Sequence, residues 1–146
     1  GGACQSALRH VRLPLVKYTG AAGEKMVRVG SAEDGQSAHT VFRVLDTFSG
    51  ERPHSVGVSA LSWVEATLKT GRTHQIRVHA KYLHSGIVGD VLYNRDKKNA
   101  LMLHAVSLSF ETQDGKLLHL KTKMPRRFLE FYKKHAAKIK NSATRQ

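Results

Sequence analysis

The hydrophobic positions of the chain fall into two periods. In "HTVFRVLDTF", residues 39–48, Val41, Phe42, Val44 and Phe48 predict a strand. "VGVSALSWVEATLKT", 56–70, alternates in stretches and offers Val56, Val58, Trp63, Val64 and Leu68 for burial. "SGERPH" turns the chain between them, so the pair reads as an antiparallel hairpin. Residues 26–30 form a shorter strand candidate. Residues 1–25 look irregular, with a break at Pro14 and a "GAAG" turn at 20–23. "SAEDGQSA" is a turn-rich connector.

After Gly71 the period changes. Ile76, Ala80 and Leu83 lie at i, i+4 and i+7, which predicts a helix packing that face on the sheet. Thr73 is placed to cap it, and it runs to about residue 84. Arg77, Lys81 and His84 share the same spacing on an adjacent face. "SGIVGD" is a turn, and "LMLHAVSLSF" alternates as a strand. Asp114-Gly115 is a hairpin signal, with "KLLHLKTKM" as the returning strand. Pro125 suits the first turn of a final helix, and Phe128, Phe131, Tyr132 and His135 give that helix an apolar stripe. No repeat and no second domain is visible.

Charge changes this picture more than length does. The chain has 146 residues, 40% of them hydrophobic, enough for one domain with a core. Its formal net charge is +13, a field that favours polyanions, nucleic acid first among them. The alternative is a solvated basic surface on a protein of other function. From Lys116 onward ten Lys and Arg residues face a single acid, Glu130. Cys4 is the only cysteine, so neither a disulfide framework nor a CxxC zinc site can form, and a reducing compartment is implied. No apolar run approaches the roughly 18 residues of a membrane span. The opening residues lack the apolar segment of a signal peptide.

The densest chemistry lies in "TGRTHQIRVHAKYLHSGIVGDVLYN", 70–94, where Asp90 is the only acid. Three readings compete. Metal binding is disfavoured, because His74, His79 and His84 are five apart and each turns about 140° from the last on a helix. A His-based nucleophile site is weak, because Cys4 is distant and no serine elbow is present. Polyanion binding fits best: Arg72 and Thr73 before a helix N-terminus combine charge, hydroxyl and free backbone N–H groups. Against it stands a purely structural role, in which Arg72, His74 and Gln75 only cap and anchor the helix.

The same stretch resembles the third signature of RluA/RluC-type RNA pseudouridine synthases, T-G-R-x-H-Q-I-R-x-H followed by I-x-G-D-x-x-Y. "LMLHAVSLSF" resembles that family's L-H-A strand, and "LKTKMPRRF" its apolar strand followed by proline. "VRLPLVK" and "RVGSAEDGQSAHTVFRVL" resemble the segment after its Tyr motif, so the likeness covers nearly the whole chain. Upstream details resemble the RluC-like branch.

The resemblance implies an α+β fold with a largely antiparallel mixed sheet, flanking helices and an RNA cleft along the sheet. It implies uridine-to-pseudouridine isomerisation, on large-subunit ribosomal RNA, without cofactor or metal. By likeness Arg77 partners a nucleophilic Asp, and Arg72 holds backbone phosphate. Thr73, His74, Gln75 and Lys81 join the RNA contacts, with Leu103 under the uracil and His104 beside it; for His104 a helix–strand hydrogen bond is the competing role. The family's H-R-L-D-x-x-T-S-G motif and Y-x-A tyrosine have no counterpart here. "VLDTFSG" is one residue short between Asp46 and Gly50 and lies 26 residues before Arg72, so Asp46 is read as a solvent-facing strand residue. The chain is therefore expected to be the C-terminal portion of one catalytic domain, exposing a strand edge or apolar face. Alone it would be inactive. A non-catalytic RNA-binding or ribosome-assembly module is the other reading. A monomer in the bacterial cytoplasm is expected, with the mitochondrial matrix as the alternative.

Overall fold

The computed structural model describes residues 7–48 and 61–143. Its elements are β1 (Leu8–Arg12), β2 (Leu15–Thr19), β3 (Lys25–Val29), β4 (His39–Phe48), β5 (Leu61–Leu68), α1 (Gln75–Tyr82), β6 (Ser107–Glu111), β7 (Leu117–Lys121) and α2 (Arg126–Ala143). The class is α+β, as expected. Among the described residues the strands form three separate antiparallel sheets, ordered β1-β4-β5, β2-β3 and β6-β7, where one mixed sheet was expected.

The predicted hairpin is β4-β5, with Thr40 opposite Leu68 and Phe42 opposite Ala66. A register shift between Val44 and Asp46 bends it. The "SGERPH" turn and residues 56–60 lie outside the described residues. Residues 7–25, read as irregular, hold β1 and β2 on either side of Pro14. Val11 and Leu15 are their only buried residues, so no alternation marks them in the sequence. The turn at 20–23 forms, with Gly23 N–H donating to the Gly20 carbonyl. "LMLHAVSLSF" becomes a strand only from Ser107, because its partner strand ends at Lys121, shortly before Pro125. The "DG" hairpin closes through Thr112 N–H to the Lys116 carbonyl, with Gly115 at φ 79°.

Helix α1 packs between two apolar clusters. Val78 joins Leu15, Val27 and Ala38. Ala80 joins Val11 and Phe42, with Ile76 and Leu83 against them, which is the face the sequence predicts. Two details at its ends differ from expectation. The N-cap is His74 in a left-handed conformation (φ 53°), not Thr73, because a tight turn from Gln75 N–H to the Arg72 carbonyl starts the helix one residue later. The helix stops at Tyr82 in a Schellman arrangement: Ser85 N–H donates to Ala80 O and His84 N–H to Lys81 O, with His84 itself left-handed at φ 56°.

Helix α2 docks its aromatic stripe on the hairpin. Phe128 and Tyr132 meet Trp63 edge-on at 6.3 and 5.0 Å between centroids, and Tyr132 donates to Asp46 at 3.1 Å. The hairpin β6-β7 is solvent-exposed throughout. Its cross-strand pairs Leu108–Leu120 and Phe110–Leu118 present apolar side chains on one face, with Leu108 59% and Leu120 52% exposed.

Two glycines give contrasting expectations. At Gly89, φ is 77° and an added Cβ would overlap the Ala100 carbonyl group, so backbone rather than a flexible side chain must shift. Gly89→Ala should therefore destabilise by about 2 kcal/mol or more, lowering the melting temperature by roughly 6 °C. At Gly71 a Cβ meets nothing within 4 Å. Gly71→Ala should leave the melt within about 0.5 kcal/mol of wild type. Equal losses from both substitutions in thermal unfolding would contradict this geometry.

Candidate functional site

The dense stretch resolves into two polar networks on two sides of α1. The first centres on Gln75, 2% exposed. Its Nε2 donates to the His39 carbonyl at 3.0 Å and to Thr40 Oγ1 at 2.9 Å. Its Oε1 accepts from Thr70 Oγ1 at 2.8 Å and from Arg72 N–H at 2.9 Å. Thr40 Oγ1 lies 2.8 Å from His79 Nδ1, and His79 Nε2 lies 3.0 Å from the Leu13 carbonyl. A carbonyl only accepts, so Nε2 carries the proton and Thr40 donates to Nδ1. Burial pushes His79 below the ordinary 6.5, partly opposed by the Leu13 bond, so the ring is neutral.

The second network centres on Arg77 and Asp90. Arg77 Nε and Nη2 grip Asp90 Oδ2 and Oδ1 at 3.0 and 2.7 Å, a two-pronged fork. Asp90 is 1% exposed, and the Arg77 side chain 15%. Asp90 Oδ1 also accepts the N–H groups of Leu92 and Tyr93, both at 3.1 Å. Burial pushes the Asp90 carboxyl up, but the Arg77 bonds and charge with these two N–H groups outweigh it and hold the carboxyl below its usual range. Tyr93 follows from Asp90. Its ring lies under the Arg77 guanidinium at 5.1 Å, and its Oη accepts Val27 N–H at 3.0 Å. His74 Nδ1 lies 2.8 Å from the same Oη, and burial followed by the Arg77 charge holds His74 below its ordinary value.

Each predicted residue now has a place. Arg77, expected to partner a nucleophilic Asp, forks Asp90 within the chain. Among the described residues its Nη1 has no hydrogen-bond partner. Gln75 is not available to touch RNA: both ends of its amide are engaged inside the fold, which is the anchoring role. His74 is half-buried on Tyr93. Arg72, Thr73 and Lys81 are exposed, although Arg72 Nε donates to the Ser37 carbonyl at 2.9 Å. Leu103 is half-buried. His104 hydrogen-bonds Thr122 Oγ1 at 3.0 Å and lies 6.2 Å from the Phe128 ring, so it ties the chain before β6 to α2. His84 stands outside the helix. Asp46 is exposed and accepts from Tyr132.

The sequence reading missed Asp90 and Tyr93 as site residues. The signal was there: the only acid among so many cations, and a buried carboxylate needs one of them. No cluster of three or more His, Cys, Asp or Glu stands together among the described residues, nor is any of their helices long and apolar enough to cross a membrane.

With this geometry in hand, comparison with known proteins is direct. The sequence model of the RNA pseudouridylate synthase family matches residues 5–82. The chain is similar to the ribosomal large subunit pseudouridine synthase D of Borreliella burgdorferi, 37% identical over 105 residues that cover 69% of this chain and 29% of that protein. It is similar to the chloroplastic RNA pseudouridine synthase 2 of Arabidopsis thaliana, 38% identical over 99 residues, 66% of this chain and 21% of that protein. An RNA pseudouridine synthase of Synechocystis is 33% identical over 125 residues, 81% of this chain and 35% of its own length. The chain thus spans between about a fifth and about a third of these relatives.

Two stability outcomes are expected. Asp90→Ala strands Arg77 and should cost about 3 kcal/mol. In a double-mutant cycle with Arg77→Ala, the pair should couple by more than about 1 kcal/mol; additive losses would mean the fork contributes nothing. The second concerns pH. His79, His39 and His74 titrate below 6.5 when folded, whereas an unfolded His takes a proton at about that pH. Their contribution is present above 6.5 and is lost as pH falls toward the folded values. Asp90, held below 3.8, contributes above 3.8 and is lost only further down. The melting temperature should therefore fall between pH 7 and pH 5, before the carboxylates titrate; a flat profile there would refute the neutral histidines.

Proposed function

The chain belongs to the RNA pseudouridylate synthase family, and from that premise we propose that the polypeptide carrying it isomerises uridine to pseudouridine in large-subunit ribosomal RNA. The reaction breaks the C1′–N1 glycosidic bond, turns the base and joins C1′ to C5; the C5 hydrogen leaves as a proton and N1 takes one up. Bond breaking and making balance within one nucleoside, so no cofactor is called for. The ribosomal target is supported by the printed name of the Borreliella relative.

The observation that carries the reading is the Arg77–Asp90 fork at the H-Q-I-R position. A guanidinium fixed on one edge and open at Nη1 is suited to keep a second carboxylate ionised. We assign that second carboxylate to a nucleophilic Asp in a segment outside these 146 residues, and the chain itself to the C-terminal portion of the catalytic domain. The absence of an H-R-L-D motif in the sequence and the length of the relatives support this. The exposed apolar face of β6-β7 fits a domain with more to cover it. Arg72, Thr73 and Lys81 form the RNA-facing side, with Leu103 the apolar contact for uracil. His104 and Gln75 act through the fold. A monomeric enzyme in the bacterial cytoplasm is our reading.

The test is tritium release from ribosomal RNA labelled at uridine C5. The whole polypeptide should turn over, and the 146-residue chain alone should not. Arg77→Ala should lower the single-turnover rate by roughly a hundredfold, about 2.7 kcal/mol. Arg72→Ala should instead weaken RNA binding and reduce its salt slope by about one contact. Asp46→Ala should change the rate by less than about tenfold. Binding of RNA without tritium release by the whole polypeptide would favour a non-catalytic RNA-binding module instead.

A further inference from the structure

The three-stranded sheet ends in a row of cations. Arg12 on β1 stands directly opposite His39 on β4 in the strand register. On the other side of His39, Lys69 continues β5 and its N–H donates to the His39 carbonyl at 3.0 Å. Each strand thus places one basic residue at the same end, with Arg12 and Lys69 flanking a His39 ring whose titration is lowered. His10 adds to the row, with its Nδ1 3.0 Å from His39 Nε2. One proton serves that contact, so the two rings do not both present a proton to it.

These residues border a half-open depression in the surface. A cavity of about 360 Å³ is lined by Arg12, Pro14, Ser37, His39, Lys69 and Thr70. Arg72 reaches its rim, through Nε on the Ser37 carbonyl at 2.9 Å. The backbone around it is already satisfied: His39 N–H donates to Thr70 Oγ1, and Gln75 holds both Thr70 and the His39 carbonyl. The cations therefore have no structural duty that accounts for gathering them. Burial lowers the His39 titration, and the neighbouring basic groups Arg12, His10 and Lys69 lower it further. Among the described residues neither Arg12 nor Lys69 forms a salt bridge.

We propose that this cavity is a subsite for one phosphodiester group of bound RNA, gripped by Arg12, Lys69 and His39 beside the Arg72 loop. The subsite deepens, and rests on, the reading of the protein as one that acts on RNA. A phosphate in the row would take its counter-charge from Arg12 and Lys69, and would favour the protonated form of His39 between them. The neighbouring groups that would sense it are His10 and Arg12 on β1, Lys69 after β5, and His79 on α1.

The test uses the whole polypeptide and the double variant Arg12→Gln/Lys69→Gln. Arg43→Gln is the control, an arginine of the same sheet that is already paired with Glu65 at 2.9 Å. Single-stranded RNA binding is measured over a salt series, and the His39 titration is followed by NMR with and without inorganic phosphate. The double variant should lose about tenfold in affinity near 0.1 M salt, with a log–log salt slope shallower by about 0.7. The control should change affinity less than about twofold. Phosphate should move the His39 midpoint upward in wild type and not in the double variant. Since the variant relieves repulsion, it should melt no lower than wild type. RNA affinity and slope unchanged in the double variant, or changed equally by the control, would overturn the subsite even in an active synthase. A phosphate effect on His39 without any effect on RNA would overturn it as well. Loss of RNA binding on mutating the row, in a polypeptide that makes no pseudouridine, would uphold the subsite and overturn the enzymatic reading instead.

Discussion

The fork between Arg77 and Asp90 is the interaction on which the site depends. Burying a carboxylate to 1% exposure is costly unless its lone pairs are taken. Here four N–H groups take them: two from Arg77 and one each from Leu92 and Tyr93. The main chain of Asp90 is equally engaged, donating to the Ile87 carbonyl and accepting from Asn94 and Asp96. Asp96 in turn receives Gly89 N–H at 2.8 Å, and its carboxyl is lowered to about 2, first by Asn99 and then by backbone N–H groups including that of Gly89. The loop after α1 is therefore shaped from within by carboxylates. Tyr93, delivered by that loop, reaches both β3 and the helix N-terminus. One ion pair thereby fixes three elements relative to each other.

On the opposite side of α1 the same problem is solved with neutral groups. Gln75, Thr40 and His79 form a directional chain that ends on the Leu13 carbonyl, and among the described residues no buried side-chain polar atom lacks a partner. The neutral chain needs His79 uncharged; the ionic fork needs Asp90 charged. An eight-residue helix can sit between two apolar clusters only because both conditions hold over the same pH range. The crowding of donors in "TGRTHQIRVH" is thus mostly structural. Within that stretch the fold leaves only Arg72, Thr73 and one end of Arg77 uncommitted.

The sequence disclosed strong periods and hid weak ones. β4, β5, the Asp114-Gly115 hairpin and the aromatic stripe of α2 were legible because each buries or pairs a regular set of side chains. β1 and β2 were not, because Val11 and Leu15 alone turn inward and Pro14 suggests a break. Residues 101–106, read as part of an alternating strand, stay outside the sheet because β7 offers them no register beyond Lys121. In the site, spacing located Arg77 and Arg72 but could not assign Gln75, whose polarity suggests a surface and whose partners lie 35 residues back on β4. Long-range satisfaction of a buried amide has no local signature. The Asp90 partnership had one, since a lone acid among cations is conspicuous, yet only the loop geometry shows which cation it meets.

The net charge of +13 takes on meaning once its distribution is known. Part of it is locally compensated, as in Arg43 with Glu65 and Arg28 with Asp34. Part is buried, as in Arg77. The row of Arg12, His39 and Lys69 is neither, and it lies at the sheet end that also carries the Thr70–Arg72 loop. A fold under selection for stability alone would place an acid there, as β4 and β5 do four residues further along, at Arg43 and Glu65. Cations left facing each other beside a cavity make physical sense when the counter-charge arrives with a ligand. The charge that matters for recognition is therefore the uncompensated remainder at that end of the sheet, and it is far smaller than the total.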